Sequence, residues 1–137
     1  MDISSLYIMV NVALVVLILM VQFIVYPSFY FYSETDLKRW HQIYKVRITA
    51  IVLPLMLTQL LLSIREVYFD ANALAYLILF IILLTWVITF LISVPLHGAI
   101  EREENSMQYR IKLVRTNWIR TVSWALIMIL SILNYGT

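Results

Sequence analysis

The chain has no cysteine, so disulfides, thiolate metal centres and cysteine nucleophiles are excluded. It has two glycines, too few for a loop that cradles phosphate, and no GxxxG pair. Charge is scarce: 13% of the residues are charged and the net charge is +2. The basic residues form no tract, so nucleic-acid recognition has no electrostatic footprint. Carboxylates are missing from the apolar runs, which argues against the rings of acids that line cation pores.

Hydrocarbon fills the space that charge leaves. The chain is 63% hydrophobic with a mean hydropathy of +0.89. Crossing a bilayer core takes about 20 apolar residues in a helix. Residues 6–26, 48–64, 73–94 and 113–133 meet or approach that length, the second by starting near Trp40. The expected fold is all-α: one integral-membrane four-helix bundle over residues 1–137, up-down-up-down, with no soluble domain. No secretory signal peptide is expected. The start carries Asp2 and no Lys or Arg, and no small-residue cleavage site follows.

Charge placement predicts the orientation. Lys38, Arg39, Lys45 and Arg47 lie between spans one and two. Arg102, Arg110, Lys112, Arg115 and Arg120 lie around the junction of spans three and four, and Arg65 alone sits at the other face. By the positive-inside rule, loops 27–47 and 98–115 are cytoplasmic and both termini are not. Pro27 and the aromatics after it suit the headgroup region, and Ser33 or Thr35 can cap the second helix. Pro54 predicts a kink near Ala50. Pro95 and Gly98 are expected to close span three, leaving 101–108 as the best loop.

Polar residues inside hydrocarbon are informative because no water is there to satisfy them. Four helical stripes coincide in the cytoplasmic half. Gln22 and Tyr26 share a face of the first span. Trp40, Tyr44 and Arg47 share one on the second, with His41 beside it. Trp86, Ser93 and His97 lie at positions zero, seven and eleven of the third. Asn117, Arg120, Thr121 and Trp124 lie at zero, three, four and seven of the fourth. Taken singly, each has a structural explanation, such as interhelical bonding, snorkelling or interface anchoring. Together they predict a polar cavity. Asn11 and Gln59, nearer the opposite face, read as interhelical partners.

Two histidines without an HExxH pattern do not predict a metal centre or a cofactor. His97 and Glu101 are four apart and could face one ion, and His41 with His97 could ligate a haem.

Val94-Pro95-Leu96-His97-Gly98 and Thr116-Asn117-Trp118-Ile119-Arg120-Thr121 resemble the motifs V-P-L-N and W-N-H-V-R-T of the anthrone-oxygenase-like family. These are small four-helix membrane proteins, mostly bacterial. Tyr26-Pro27-Ser28-Phe29 and Val52-Leu53-Pro54-Leu55-Met56 resemble the family's first half. Here His97 stands for the motif asparagine and Trp118 for the motif histidine, while Asn117, Arg120 and Thr121 match.

The resemblance implies a bacterial plasma-membrane location. It also implies oxygenation of a lipophilic aromatic or quinone-like molecule without metal or flavin. His97 or His41 would act as base. Arg120, Asn117 and Tyr44 would hold an oxyanion. Gln22, Tyr26, Trp86, Ser93, Thr121 and Trp124 would contact the ligand. The partners are then the bilayer and a lipophilic small molecule, with self-association compatible. A non-catalytic carrier of an apolar ligand and an accessory membrane subunit are the alternatives.

Overall fold

Every apolar run folds into a helix longer than the run itself. The computed structural model describes residues 2–136. Its helices are α1 (Ile3–Phe31), α2 (Glu34–Phe69), α3 (Ala73–Arg102) and α4 (Met107–Gly136). No strand occurs among the described residues. All four helices are long and apolar enough to cross a membrane.

Short side chains start the helices. Asp2 accepts from the Ser5 amide at 2.7 Å, Ser33 from Asp36 at 3.1 Å and Asn72 from Ala75 at 2.9 Å. Each satisfies an amide that the first helical turn leaves orphaned.

The connections are shorter than the sequence suggests. Segments 27–47 and 98–115 are mostly helical, and only 32–33 and 103–106 lie outside helices there. Pro27 and Pro95 do not end their helices. Each lies two residues beyond a wide π-turn, Val21–Val25 in α1 and Thr89–Ser93 in α3. The amide of Tyr26 bonds Val21 O and that of Val94 bonds Thr89 O, five residues back. Widening the turn relieves the clash of a proline ring with the carbonyl four residues earlier. Pro54 sits inside α2 with no such turn, so the Ala50 carbonyl lacks its usual donor.

The bundle interior is mostly apolar at mid-depth, where the buried polar side chain of Thr85 donates to Ile81 O of its own helix. Leu14, Ile18, Ile82, Trp124 and Ile127 are buried there. The outer surface is apolar as well: Phe23, Ile24, Leu61, Leu91 and Val122 are each at least 60% exposed. Such a surface suits surrounding lipid, in keeping with four helices long and apolar enough to cross a membrane.

One cation ties the two basic connections together. Arg110 is 1% exposed although it lies only three residues into α4. Its Nη1 donates to Phe29 O and Tyr32 O, both at 2.9 Å, and its Nε donates to Ser106 Oγ at 2.8 Å. Nη2 pairs with Glu34 Oε1 at 2.8 Å. Glu34 in turn accepts from the Ser106 amide and hydroxyl. The sequence presents Arg110 as a flanking charge, whereas it closes the end of α1 against α2 and α4.

Replacing Arg110 by Met should destabilise the bundle by about 1–3 kcal/mol, because two buried carbonyls lose their donor and Glu34 loses its counter-charge. Thermal melting in detergent, beside the exposed Arg115→Met, measures this. Equal melting temperatures for the two variants would refute the lock.

Candidate functional site

A cavity of about 870 Å³ lies between α2 and α3, towards the end of the bundle that carries Arg110. Its floor is Leu17, Ile18 and Val21 of α1. One wall is the 44–54 stretch of α2, and the other includes Thr89, Ser93, Val94, His97 and Gly98 of α3. Ala50, Leu53 and Val94 line it and are also exposed on the outer surface, so it opens sideways where lipid would lie. Both flanking helices are irregular here, α2 at Pro54 and α3 at its π-turn.

Five of the residues read from the sequence reach this cavity: Tyr26, Tyr44, Ser93, His97 and Arg120. His41 is fully buried behind His97. A continuous chain of hydrogen bonds joins Tyr26 to both histidines and on to Glu101 and Lys45. Tyr26 OH lies 3.0 Å from His97 Nε2. His97 Nδ1 lies 2.7 Å from His41 Nε2, and His41 Nδ1 lies 2.8 Å from Glu101 Oε1. Lys45 Nζ sits 2.8 Å from Glu101 Oε1 and 2.9 Å from Oε2. Phe29, completely buried, packs edge-on against His41 and Tyr44 and holds the rings in place. All four imidazole nitrogens are therefore engaged, and a metal or haem on both histidines would have to displace these bonds. Among the described residues, no group of three His, Cys, Asp or Glu gathers where it could hold a metal ion.

The α1 and α4 stripes form a second layer behind the cavity. Gln22 Nε2 donates to Val114 O at 3.1 Å. Its Oε1 accepts from Asn117 Nδ2 at 2.9 Å and from Thr121 Oγ1 at 3.4 Å. Asn117 Oδ1 accepts from Arg120 Nη1 at 3.3 Å, and Ser93 Oγ accepts from the same nitrogen at 3.4 Å. The guanidinium lies over the Trp124 ring, 5.0 Å from its centroid. Gln22, Asn117, Thr121 and Trp124 thus support Arg120 and do not line the cavity.

Arg120 is only partly satisfied. It is 6% exposed, its Nε has no partner, and it makes no ion pair among the described residues. The Tyr26 hydroxyl lies beside both Arg120 and Tyr44.

Trp86 is placed away from the cavity, against Phe90. The π-turn at Thr89–Ser93 explains this. It inserts an extra residue, so Trp86 and Ser93 no longer share the face that regular spacing implies.

The sequence pairs Glu101 with His97, four residues before it, and gives Lys45 no partner. For Lys45 a signal did exist: His41 precedes it by four. Each histidine therefore carries a charged neighbour on its own helix face. Glu101 turns across to His41 and not along α3 to His97.

A separate polar group lies towards the other end. Asn11 Nδ2 donates to Ser131 Oγ at 2.9 Å, and Gln59 Nε2 donates to Asn11 Oδ1 at 2.8 Å. All three are buried, which agrees with an interhelical role.

Comparison of the chain with family models, with curated proteins and with solved structures finds no match.

Asn11→Leu should lower stability by about 0.6–2 kcal/mol, the range for interhelical hydrogen bonds in membranes, and leave ligand binding at the cavity unchanged. Gln22→Leu should lower stability similarly and also weaken ligand binding, because Asn117 loses the acceptor that orients it towards Arg120. Melting curves with parallel binding titrations separate the two. Identical behaviour of both variants would remove the distinction between support and site.

Proposed function

We propose that this protein takes a lipophilic aromatic or quinone-like molecule from the membrane into the cavity and acts on it as an oxidoreductase-like enzyme. One observation carries the reading: Arg120 is a buried cation without an anion, at the wall of a largely apolar space whose other cations, Lys45 and Arg102, are less deeply buried. Removing an ion from water is costly unless a counter-charge or strong acceptors replace the solvent. A carbonyl or ionised oxygen on the ligand would supply what Nε lacks, while Leu17, Ile18, Val21 and Val52 would enclose its apolar body.

The resemblance to the anthrone-oxygenase-like family, on Asn117, Arg120 and Thr121, supports a reaction that needs no metal or flavin. An activated CH2 group loses a proton, and the resulting carbanion gives electrons to dioxygen. The carbon becomes a carbonyl, and the second oxygen atom leaves as water. The first proton would leave along the chain of hydrogen bonds that contains the histidine pair. Arg120 and Tyr44 would stabilise the oxyanion, with Asn117 steadying Arg120.

We place the bundle in a cell membrane, in up-down-up-down order, with both termini on the non-cytoplasmic side and the cavity towards the cytoplasm. Asn11 bonded to Ser131 and Gln22 bonded to Asn117 support opposite directions for α1 and α4. The concentration of Lys and Arg at one end supports the orientation.

Solvent extraction of protein purified in mild detergent, read by mass spectrometry and absorbance, tests the reading. The wild type should release an oxygen-bearing lipophilic compound, and Arg120→Gln should release at least about tenfold less, the loss expected when a charged hydrogen bond is removed. Conversion of that compound under oxygen supports an enzyme, and recovery unchanged assigns a carrier. If neither preparation holds a ligand and added quinone does not bind, the cavity is no ligand site and an accessory role replaces this one.

A further inference from the structure

We infer that Tyr26, and not a histidine nitrogen, exchanges the proton with the bound ligand, and that the proton is delivered to Glu101 through His97 and His41. This rests on the ligand-binding reading above and deepens it by naming the group that meets the ligand.

The argument starts at the outer end of the chain of bonds. Both Glu101 oxygens face the Lys45 ammonium, so Glu101 is a carboxylate and can only accept. The bond at His41 Nδ1 is then N–H to oxygen, with His41 donating. Complete burial favours His41 as the neutral imidazole, which with its proton on Nδ1 has a lone pair on Nε2. His97 Nδ1–H must therefore donate to His41 Nε2. That leaves the lone pair of His97 on Nε2, where the Tyr26 hydroxyl donates. One carboxylate thus orders three bonds in a single direction and sets both tautomers.

Neither histidine has a nitrogen left for a ligand. His97 borders the cavity, but both of its nitrogens are turned to protein partners. His41 does not border it. Tyr26 does: its proton points to His97, and its oxygen faces the Arg120 and Tyr44 donors, one of which the ligand's proton would replace. That oxygen also lies beside Arg120, where a ligand oxygen would bind.

The transfer balances without any co-reactant. A C–H or O–H bond of the ligand breaks and its proton goes to Tyr26 O. The Tyr26 proton goes to His97 Nε2, that of His97 Nδ1 to His41 Nε2, and that of His41 Nδ1 to Glu101. The products are a ligand anion at Arg120 and a neutral Glu101. Tyr26 and both histidines end neutral.

The test uses 4-nitro-1-naphthol, a lipophilic phenol whose anion is coloured differently from its neutral form. It is added to the detergent-purified protein at a pH where the free probe is neutral. Absorbance reports the ionised fraction, and infrared difference spectra report a protonated carboxyl. Wild-type protein should bind the probe as the anion, with a carboxylic-acid band that Glu101→Gln abolishes. Tyr26→Phe and Glu101→Gln, checked for folding by circular dichroism, should bind the probe in neutral form. The glutamine still accepts from His41 but takes up no proton, so a purely structural role for Glu101 would leave the anion signal in place. Arg120→Gln should bind the probe roughly tenfold more weakly or worse. If Tyr26→Phe or Glu101→Gln still ionises the probe, or the wild type binds it neutral, the relay is overturned while the binding site stands. If the wild type does not bind the probe at all, the binding reading fails and the relay falls with it.

Discussion

Polar groups inside a bilayer have no water to turn to, and the arrangement of this bundle follows from that constraint. Gln22 is the clearest case. Placed on α1 and buried, it uses its amide to bind Val114 O and Asn117 of α4. Those bonds fix the register of the two helices and set the height at which Arg120 emerges. Three residues beyond Asn117, Arg120 is carried to the cavity and supported by the oxygen of that same amide. Apolar packing alone would not choose this register, because Leu, Ile and Val pack about as well when displaced by a turn in a medium as apolar as they are.

Two buried arginines illustrate how the same constraint separates structure from function. Arg110 meets two carbonyls, a hydroxyl and a carboxylate, so its charge is compensated within the fold. Arg120 meets one amide oxygen and the Ser93 hydroxyl, both at long distance, an indole face and the neighbouring Tyr26 hydroxyl, and no carboxylate. A guanidinium has five donors in a fixed fork. Pairing most of them with the fold makes a lock, and leaving them open beside a cavity leaves room for the ligand oxygen proposed above. The mid-depth layer of Leu14, Ile18, Trp124 and Ile127 separates this end from the Asn11 cluster, so the polar groups do not form a continuous path through the bundle.

The four spans were legible because length and hydropathy determine them with little help from context. The helical stripes were legible too, since Gln22, Asn117, Arg120 and Thr121 gather as regular spacing implies. Two kinds of feature were not. The π-turns shift the face of everything beyond them, and Trp86 is placed accordingly; a sequence reads Pro27 and Pro95 as stops when wide turns make them tolerable. Pairings across the bundle were hidden as well. Arg110 with Glu34, and Glu101 with His41, join residues far apart in the chain, and composition gives each of them the look of a solvated flank. What decides such cases is which charge the tertiary fold removes from water.

Charge placement also gives the relay a direction. Before transfer, Glu101 is balanced by Lys45 while Arg120 is unbalanced and buried. After transfer, the ligand anion balances Arg120 and the unbalanced cation is Lys45. Lys45 is 44% exposed on its side chain, where water and salt can screen it. Moving one proton over two imidazoles therefore shifts the uncompensated positive charge from an apolar interior to a wet surface. Coulomb interactions are several-fold stronger in the interior than in water, so the gain at Arg120 exceeds the loss at Lys45. In the proposed relay this arrangement would favour ionising a bound ligand without a buried free carboxylate at the cavity, which would itself be costly to keep in the membrane. An acceptor carboxylate at the rim and a cation at the cavity would let a chain with so little charge drive acid–base chemistry within hydrocarbon.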